Sequence, residues 1–436
     1  MTPGTPAPAA DAGYREAVRA LSDELVAAQR PIRILDAVKW DDSVREAFFA
    51  AGCREEPRVD AAYYAARPLP LDTSRARAGF EELDRRIEDR LGLEDPAARL
   101  MRRMCREYEV VLRMLEARGT PAFHRHAAAL YGRASDPFHA GGPSLVELAA
   151  LLDEALRNLD EAAYGESQPA DIPAEQAVQR LQERLDVAFP DPAARVHVRL
   201  DDGIVADAAA GSDYIKLRAD ARFRERDLRV LEVHEGWVHV GTTLNGQAQP
   251  VCTFLGKGTP STTITQEGLA LLVEVISFSS YPRRLRRVTD RIRAIHWAER
   301  GASFLDVFGR LRGEGRSAEE AYPTCVRVFR GSTPAGGPFS KDLAYSRGFV
   351  EVYNFVRLAV RRGRLDRLRL LFAGKLTLRD IGLLAELERR GLVEPPRYLP
   401  PQFADPSALA AWMAYSNFLN RLDLGILEGD IATLLA

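Results

Sequence analysis

The chain contains little cysteine and no large excess of either charge. Its four cysteines, Cys53, Cys105, Cys252 and Cys325, show no Cys-x-x-Cys spacing among 436 residues. This pattern predicts reduced thiols in a cytoplasmic protein rather than a disulfide framework. The formal net charge is −2, so the field of the whole protein favours neither nucleic acid nor a membrane surface.

Long apolar runs are also absent from the sequence. No stretch approaches the roughly 18 consecutive apolar residues that a membrane-spanning helix needs. The segment Met1–Gly13 is rich in proline and alanine and lacks the basic start and apolar centre of a signal peptide. We therefore predict a disordered tail over residues 1–13. The hydrophobic content of 46% is enough for a sizeable core, in one large domain or two.

The pattern of apolar residues divides the remainder into two predicted regions. Intervals of three and four predict an N-terminal helical region over residues 14–165. The Gly-, Ser- and Pro-bearing stretch 165–173 is the best candidate for a boundary, and residues 174–436 form the predicted catalytic region. Alternating segments at 195–200, 204–206 and 214–217 predict a small antiparallel sheet there. The predicted fold class is α+β and mostly helical.

Histidine is scarce, with seven residues in the chain, and two of them lie within six positions. These are His234 and His239 in the stretch H-E-G-W-V-H, and Glu267 follows 28 positions after His239. Two His and one Glu form a known zinc ligand set for hydrolysis, with one coordination position left open for water. Glu235 lies where a general base for that water is expected. The alternative is a helix with two unrelated histidines.

The spacing of the two histidines predicts an irregular helix. Residues five apart lie about 140° apart around an α-helix, so His234 and His239 share a metal only if the helix widens or ends between them. A π-type turn widens a helix in this way, and Gly236 accepts a strained turn most easily. We expect Asp227 to begin this helix and a long loop to span residues 241–261.

The second stretch, Q-E-G-L-A, lies at the head of an apolar run. Thr265 is predicted to cap the next helix, which places Glu267 in its first turn. Glu274 lies seven residues further on, so it shares the face of Glu267. It either hydrogen bonds to a metal ligand or is a partly exposed helix carboxylate.

The two stretches together resemble a known family. H-E-x-x-x-H followed by Q-E-G-L-A is similar to the family typified by the microtubule-associated tyrosine carboxypeptidase. Its bacterial members are named flavohaemoglobin expression-modulating QEGLA motif proteins. The resemblance implies a zinc metallopeptidase in which His234, His239 and Glu267 bind zinc and Glu235 is the base. A small sheet before the metal-binding helix is also typical of zincin-like peptidases, in which an edge strand holds an extended substrate.

A third stretch resembles a further pattern of this family, R-G followed by F-[ST]-K-D-x-x-Y-x-x-G. A carboxypeptidase needs a fixed cation for the terminal carboxylate of its substrate and a donor for the oxyanion of the intermediate. Arg330, Lys341 and Tyr345 are candidates for these roles, with Arg327 as a further candidate. The alternative is that the cations form surface pairs with Asp342 or Glu351, and the sequence does not assign the roles.

A basic segment over residues 281–300 holds eight Arg or His residues. It is either a solvated helix face or a docking surface for an acidic protein partner. The predicted function of the chain is a zinc-dependent carboxypeptidase that acts on a peptide or protein C-terminus through zinc-bound water, with Glu235 as general base. The alternatives are a non-catalytic zinc-binding regulator and a metal hydrolase that cleaves a non-peptide amide or ester.

Overall fold

The computed structural model describes residues 11–157, 159, 169–204 and 206–423, and helices dominate these residues. The N-terminal region contains eight helices within its described part: α1 (Ala12–Gln29), α2 (Ile34–Val38), α3 (Asp42–Ala50), α4 (Ala61–Ala65), α5 (Thr73–Leu91), α6 (Pro96–Glu116), α7 (Pro121–Tyr131) and α8 (Leu145–Arg157). Helix α1 begins within the predicted tail because the side chain of Asp11 caps it at the amide of Tyr14. Residues 1–10 of that tail and residues 165–168 of the predicted boundary lie outside the described residues.

Two small sheets precede the histidine-bearing helix, and one of them corrects the prediction. They are built around α9 (Ala174–Ala188) from β1 (Ile172–Pro173), β2 (His197–Asp201), β3 (Ala208–Ala210), β4 (Tyr214–Arg218) and β5 (Arg222–Phe223). Strands β1 and β5 pair antiparallel. In the second sheet β3 pairs antiparallel with β4, but β2 pairs parallel with β4. The predicted purely antiparallel sheet is therefore wrong.

The physical reason is that β3 takes one edge of β4 through a short turn. The amide of Gly211 donates to the carbonyl of Tyr214, which closes this turn. Strand β2 therefore pairs with the opposite edge of β4. The chain runs in opposite directions in β2 and β3, so β2 is parallel to β4. Alternation of apolar residues has the same period in both kinds of sheet, so it did not indicate the strand order. The strand predicted at 204–206 lies at Ala208–Ala210 instead.

The remaining described chain is again helical. It contains α10 (Glu225–Leu231), a π-helix (Glu232–Val240), α11 (Gly241–Gln247), α12 (Pro260–Ile276), α13 (Pro282–Glu299), α14 (Phe304–Gly313), α15 (Ala318–Phe329), α16 (Leu343–Arg361), α17 (Ile381–Arg389), α18 (Pro401–Ala404) and α19 (Ser407–Leu419). Short 3₁₀ helices lie between them at Thr253–Gly256, Ser340–Asp342, Leu365–Arg367, Arg369–Phe372 and Leu378–Asp380, and a further one at Pro192–Ala194 precedes β2. Among the described helices, none is both long and apolar enough to cross a membrane.

Three local predictions around the site need correction. Helix α12 begins at Pro260 rather than at Thr265, because Thr259 and Thr262 cap it reciprocally and proline fits the first helical position. Helix α10 begins at Glu225, and Asp227 completes its cap by accepting from the amide of Arg224 at 2.8 Å. The predicted loop over 241–261 contains α11 and a 3₁₀ turn.

The apolar core joins the two predicted regions. The largest core cluster contains Phe80 and Leu112 from the N-terminal helices together with Leu269 and Phe372 from the C-terminal part. A separate cluster lies between α9, the sheets and the helices that follow them. Helix α12 carries the second sequence pattern and α16 carries the end of the third. Both helices contribute residues to the largest core cluster.

Two glycines allow α12 and α16 to touch through their backbones. A Cβ atom added at Gly268 would lie 1.9 Å from the carbonyl carbon of Gly348. One added at Gly348 would lie 1.8 Å from the carbonyl oxygen of Ile264. No side chain fits at these distances. The glycines of Q-E-G-L-A and of the third pattern therefore place Glu267 close to Lys341 and Tyr345.

Candidate metal centre and cation cluster

The structure brings His234, His239 and Glu267 together. One ligand atom from each lies within 4.8 Å of the others, and the two imidazole centroids are 4.8 Å apart at an interplanar angle of 86°. Both histidines belong to the π-helix. In a π-helix the hydrogen bonds link residues five apart, which places His239 over His234. The predicted widened turn is therefore confirmed. We call these three residues the ligand cluster.

The fit of the ligand cluster to a metal ion rests on the carboxylate of Glu267. Its Oε2 atom lies 3.3 Å from Nε2 of His234 and 3.5 Å from Nε2 of His239. The same oxygen is buried and has no hydrogen-bond partner among the described residues. Buried polar atoms are rarely left in this state. Two imidazole nitrogens and a carboxylate oxygen that converge in this way match the donor set of zinc.

The second nitrogen of His234 is held by a buried ion pair. Nδ1 of His234 lies 2.5 Å from Oε1 of Glu274, and Arg284 donates to both carboxylate oxygens at 2.7 and 2.9 Å. Burial alone would raise the pKa of Glu274, but Arg284 outweighs this effect and lowers the pKa to about 2. The carboxylate therefore stays charged and accepts a hydrogen bond from Nδ1 of His234. This contact orients the imidazole so that Nε2 faces Glu267. Glu274 is fully buried, so the alternative of a partly exposed carboxylate is wrong.

The raised pKa of His234 also indicates that the carboxylates around this imidazole stabilise positive charge. Burial would lower the pKa of this imidazole, but the carboxylates of Glu267 and Glu274 raise it to about 9. Lys341 and the two histidines hold the pKa of Glu267 well below its usual range against the effect of burial. A cation bound between these groups would replace the proton.

Glu235 lies beside the ligand cluster without belonging to it. The three residues that offer converging ligand atoms are His234, His239 and Glu267. The carboxylate of half-buried Glu235 points instead to β3, where its Oε2 accepts a hydrogen bond from the amide of Ala210 at 3.0 Å. The edge strand therefore fixes the carboxylate that the sequence predicted as the base.

The cations of the third pattern separate into two groups. Arg327 donates to both oxygens of Asp342 at 2.5 and 3.0 Å, so for this residue the alternative of an ion pair with Asp342 holds, although the pair is buried rather than on the surface. Glu351 pairs with Arg347 instead. Arg291, which the sequence reasoning missed, lies 3.6 Å from Asp342 and over the ring of Tyr345 at 4.9 Å.

The other predicted residues lie closer to the ligand cluster or lack a carboxylate partner. Nζ of Lys341 is 3.5 Å from Oε1 of Glu267. The ring of Tyr345 stacks on that of His234 with centroids 6.2 Å apart. Arg330 is buried, and its Nε has no hydrogen-bond partner among the described residues. Burial lowers the pKa of Arg330 to about 10. We call Arg291, Arg327, Arg330 and Lys341 the cation cluster.

Much of the basic segment at 281–300 is used inside the protein. Arg284 binds Glu274, Arg286 donates to the carbonyl of Leu156, and Arg293 binds Asp153. These contacts do not support a docking surface for an acidic partner, which remains a hypothesis. The segment's basic pattern contained the signal for Arg284 and Arg291, but sequence spacing could not separate internal contacts from a solvated face.

Lys375 is a further residue that the sequence reasoning did not assign to the site. Burial lowers the pKa of its ammonium group to about 7, and its Nζ donates to the carbonyl of His239 at 2.8 Å. It comes from the segment that follows the 3₁₀ turn Arg369–Phe372. Nothing in the local sequence around Gly374 and Lys375 indicated this contact.

Two histidines and a glutamate beside a second carboxylate form the arrangement that metal-dependent hydrolases use. The family model described as microtubule-associated tyrosine carboxypeptidase matches residues 46–421, so the chain belongs to this family. No curated protein matches the chain. Family membership supports carboxypeptidase activity.

Proposed function

We propose that the protein is a zinc-dependent carboxypeptidase that releases the C-terminal residue of a peptide or protein. The observation that carries the proposal is the convergence of His234, His239 and Glu267 within 4.8 Å, with Glu235 beside them, in a chain of a carboxypeptidase family. The three converging residues would hold the ion. Zinc bound there would polarise the scissile carbonyl and lower the pKa of a water molecule.

Glu235 is the proposed general base. Its Oε2 is fixed by the amide of Ala210, and the carboxylate takes the proton of the attacking water and passes it to the leaving amine. Because Glu235 is outside the ligand cluster, its role is separable from metal binding. This separation gives the proposal its clearest test.

The edge of β3 that faces away from β4 pairs with no strand among the described residues and offers a place for the substrate main chain. Asp207 accepts from Arg218 and Gly211 donates to Tyr214 across the antiparallel pair. The backbone groups of Ala208 and Ala210 therefore point away from β4, as the contact of Ala210 with Glu235 also requires. An extended peptide that pairs with this edge would lie alongside Glu235.

The cation cluster supplies the groups that a carboxypeptidase needs for negative charge. Lys341 and Tyr345 lie against the ligand cluster, and we assign them to the oxyanion of the tetrahedral intermediate. Arg330 is assigned to the terminal carboxylate of the substrate, because Arg binds carboxylates in a fixed geometry. Arg327 positions Asp342 instead.

The test combines metal analysis with a pair of peptides. We expect about one zinc per chain in the purified wild type and loss of zinc in His234→Ala and Glu267→Ala. A peptide with a free C-terminus should be cleaved faster than its amidated form. Unchanged zinc content in both variants would contradict the ligand assignment, and equal cleavage of the two peptides would contradict the carboxypeptidase assignment. If the wild type cleaves no peptide while zinc removal unfolds it, the regulator hypothesis is favoured.

A further inference from the structure

Lys375 bridges the two helices that carry the ligand cluster. Its Nζ lies 2.8 Å from the carbonyl oxygen of His239 and 2.8 Å from Oε1 of Gln266. The third contact is to Oγ1 of Thr242 at 2.9 Å. An ammonium group has three donors, and here each donor has one acceptor. One acceptor belongs to a proposed metal ligand, and Gln266 precedes another.

The segment that carries Lys375 is held in place independently of these contacts. The amide of Lys375 donates to the carbonyl of Leu255 at 2.7 Å. A Cβ added at Gly374 would lie 2.6 Å from Cβ of Leu255, so glycine allows the close approach. The ammonium group therefore extends from a fixed backbone into the space between the π-helix and α12.

Three side-chain donors lie within hydrogen-bond distance of the carbonyl oxygen of His239. Thr243 donates to it at 2.7 Å and Thr242 lies at 3.3 Å, both from the following turn of the same helix. Lys375 is the donor that comes from another segment. It also contacts Gln266 on α12, which the hydroxyl of Thr242 contacts directly at 2.8 Å. Removing Lys375 would therefore leave the carbonyl hydrogen bonded and one direct link between the helices, but would take away the group that joins the carbonyl, the hydroxyl and the amide oxygen.

We propose that Lys375 is a positioning residue that sets the distance and angle between His239 and Glu267. The inference rests on the proposed function, because it concerns the metal site formed by these ligands. Lys375 is half-buried, and an ammonium group that is partly removed from water and has no ion pair among the described residues is costly to retain. Its three hydrogen bonds, to His239, Thr242 and Gln266, offset this cost and connect the segments that hold His239 and Glu267. Groups that orient metal ligands typically change metal affinity about 10- to 100-fold when they are removed.

The experiment compares three variants of the full chain. Lys375→Met keeps the length of the side chain and removes all three donors. Thr243→Val removes a donor from the same carbonyl without touching α12. Lys257→Met makes the same chemical change at a half-buried lysine away from the ligand cluster. Zinc affinity is measured by competition with a chelator, and cobalt absorption spectra report the geometry of the ligands. Circular dichroism checks the fold.

We expect Lys375→Met to bind zinc about 10- to 100-fold more weakly and to change the cobalt spectrum, with Thr243→Val losing much less and Lys257→Met matching the wild type. Equal zinc affinity in Lys375→Met and wild type would overturn the proposal, as would an equal loss in Thr243→Val. If Lys375→Met does not fold, Lys375→Gln, which retains an amide donor, provides the same comparison. A wild type that binds no zinc would overturn both this inference and the proposed function. If the wild type binds zinc and Lys375→Met binds it equally well, only this inference is overturned.

Discussion

The ligand cluster and the cation cluster lie side by side and have opposite charge balances. In the first, the carboxylates of Glu267 and Glu274 surround His234, and Oε2 of Glu267 has no described hydrogen-bond partner. In the second, Arg291 and Arg327 pair with the buried carboxylate of Asp342, whereas Arg330 has no ion pair among the described residues. The fourth cation, Lys341, lies against Glu267. The first arrangement stabilises a bound cation and the second a bound anion. A metal ion and the carboxylate of a substrate would together satisfy both.

The largest effect is expected from Glu235→Gln, a substitution that removes the proposed general base and leaves the ligand cluster unchanged. Glu235→Gln keeps the size and the contact with the amide of Ala210 but cannot take a proton. Peptide turnover should fall by roughly 10²- to 10⁴-fold, the usual scale for general base catalysis. Zinc content and the melting temperature, measured on the same preparations, should match the wild type. Turnover equal to that of the wild type would remove Glu235 from the role of base.

The second prediction separates two arginines within the cation cluster. Arg330→Met should reduce kcat/KM for a peptide with a free C-terminus by about 10- to 100-fold, the effect of losing a charged hydrogen bond. Cleavage of the amidated peptide should change little, so the preference between the two peptides should disappear.

Arg327→Met is the matched comparison for Arg330→Met. It leaves buried Asp342 without its bidentate partner, which should lower the free energy of unfolding by about 3–5 kcal/mol. Denaturant unfolding of both variants checks the difference. A preserved preference for the free C-terminus in Arg330→Met would show that another cation binds the carboxylate.

The same contrast explains which parts of the site could be predicted from sequence. His234, Glu235 and His239 lie in one short stretch. Once both histidines were taken as ligands of one metal, their spacing predicted a widened or broken turn. Glu267 followed from the second motif. The cation cluster is different, because Arg291 comes from α13 and the separation of Arg327 from Arg330 depends on where Asp342 lies. These are tertiary contacts that no local pattern contains.

The fold shows the same limit. Periodicity predicted the helical N-terminal region, because long amphipathic helices such as α5 and α6 carry a strong local signal. It could not predict that β2 pairs parallel with β4, since strand order depends on the path of the chain. It also missed the start of α12, where Pro260 and the reciprocal cap of Thr259 were a readable signal that lay inside a predicted loop.

The third prediction tests the buried carboxylate behind the ligand cluster. Glu274→Gln replaces a charged acceptor of the Nδ1 proton of His234 with a neutral amide. Zinc affinity should fall by about 10-fold, at the lower end of the range for such partners. Competition with a chelator measures it. Glu351→Gln, which alters the more exposed pair with Arg347, is the control and should bind zinc as the wild type does. Wild-type affinity in Glu274→Gln would mean that the contact with His234 does not tune the metal site.

The smallest expected effect concerns Glu299, a carboxylate outside both clusters, at which burial outweighs the nearby cation Arg133. Burial raises the pKa of Glu299 to about 7, although the amide of Ala134 partly opposes this shift. Glu274 is more deeply buried, yet Arg284 keeps its pKa low.

Because the folded state holds the proton of Glu299 more tightly than the unfolded chain, the free energy of unfolding should fall as pH rises from about 4.5 to about 7. Glu299→Gln should lack this decline and be more stable than the wild type at pH 8 by about 1 kcal/mol, a value reduced for solvent screening at a partly exposed group. Denaturant unfolding of both proteins between pH 4 and pH 8 measures the difference, with exposed Glu183→Gln as control. If the difference between wild type and Glu299→Gln does not grow with pH, the burial of this carboxylate carries no energetic cost, and the contrast with Glu274 would have to come from Arg284 alone.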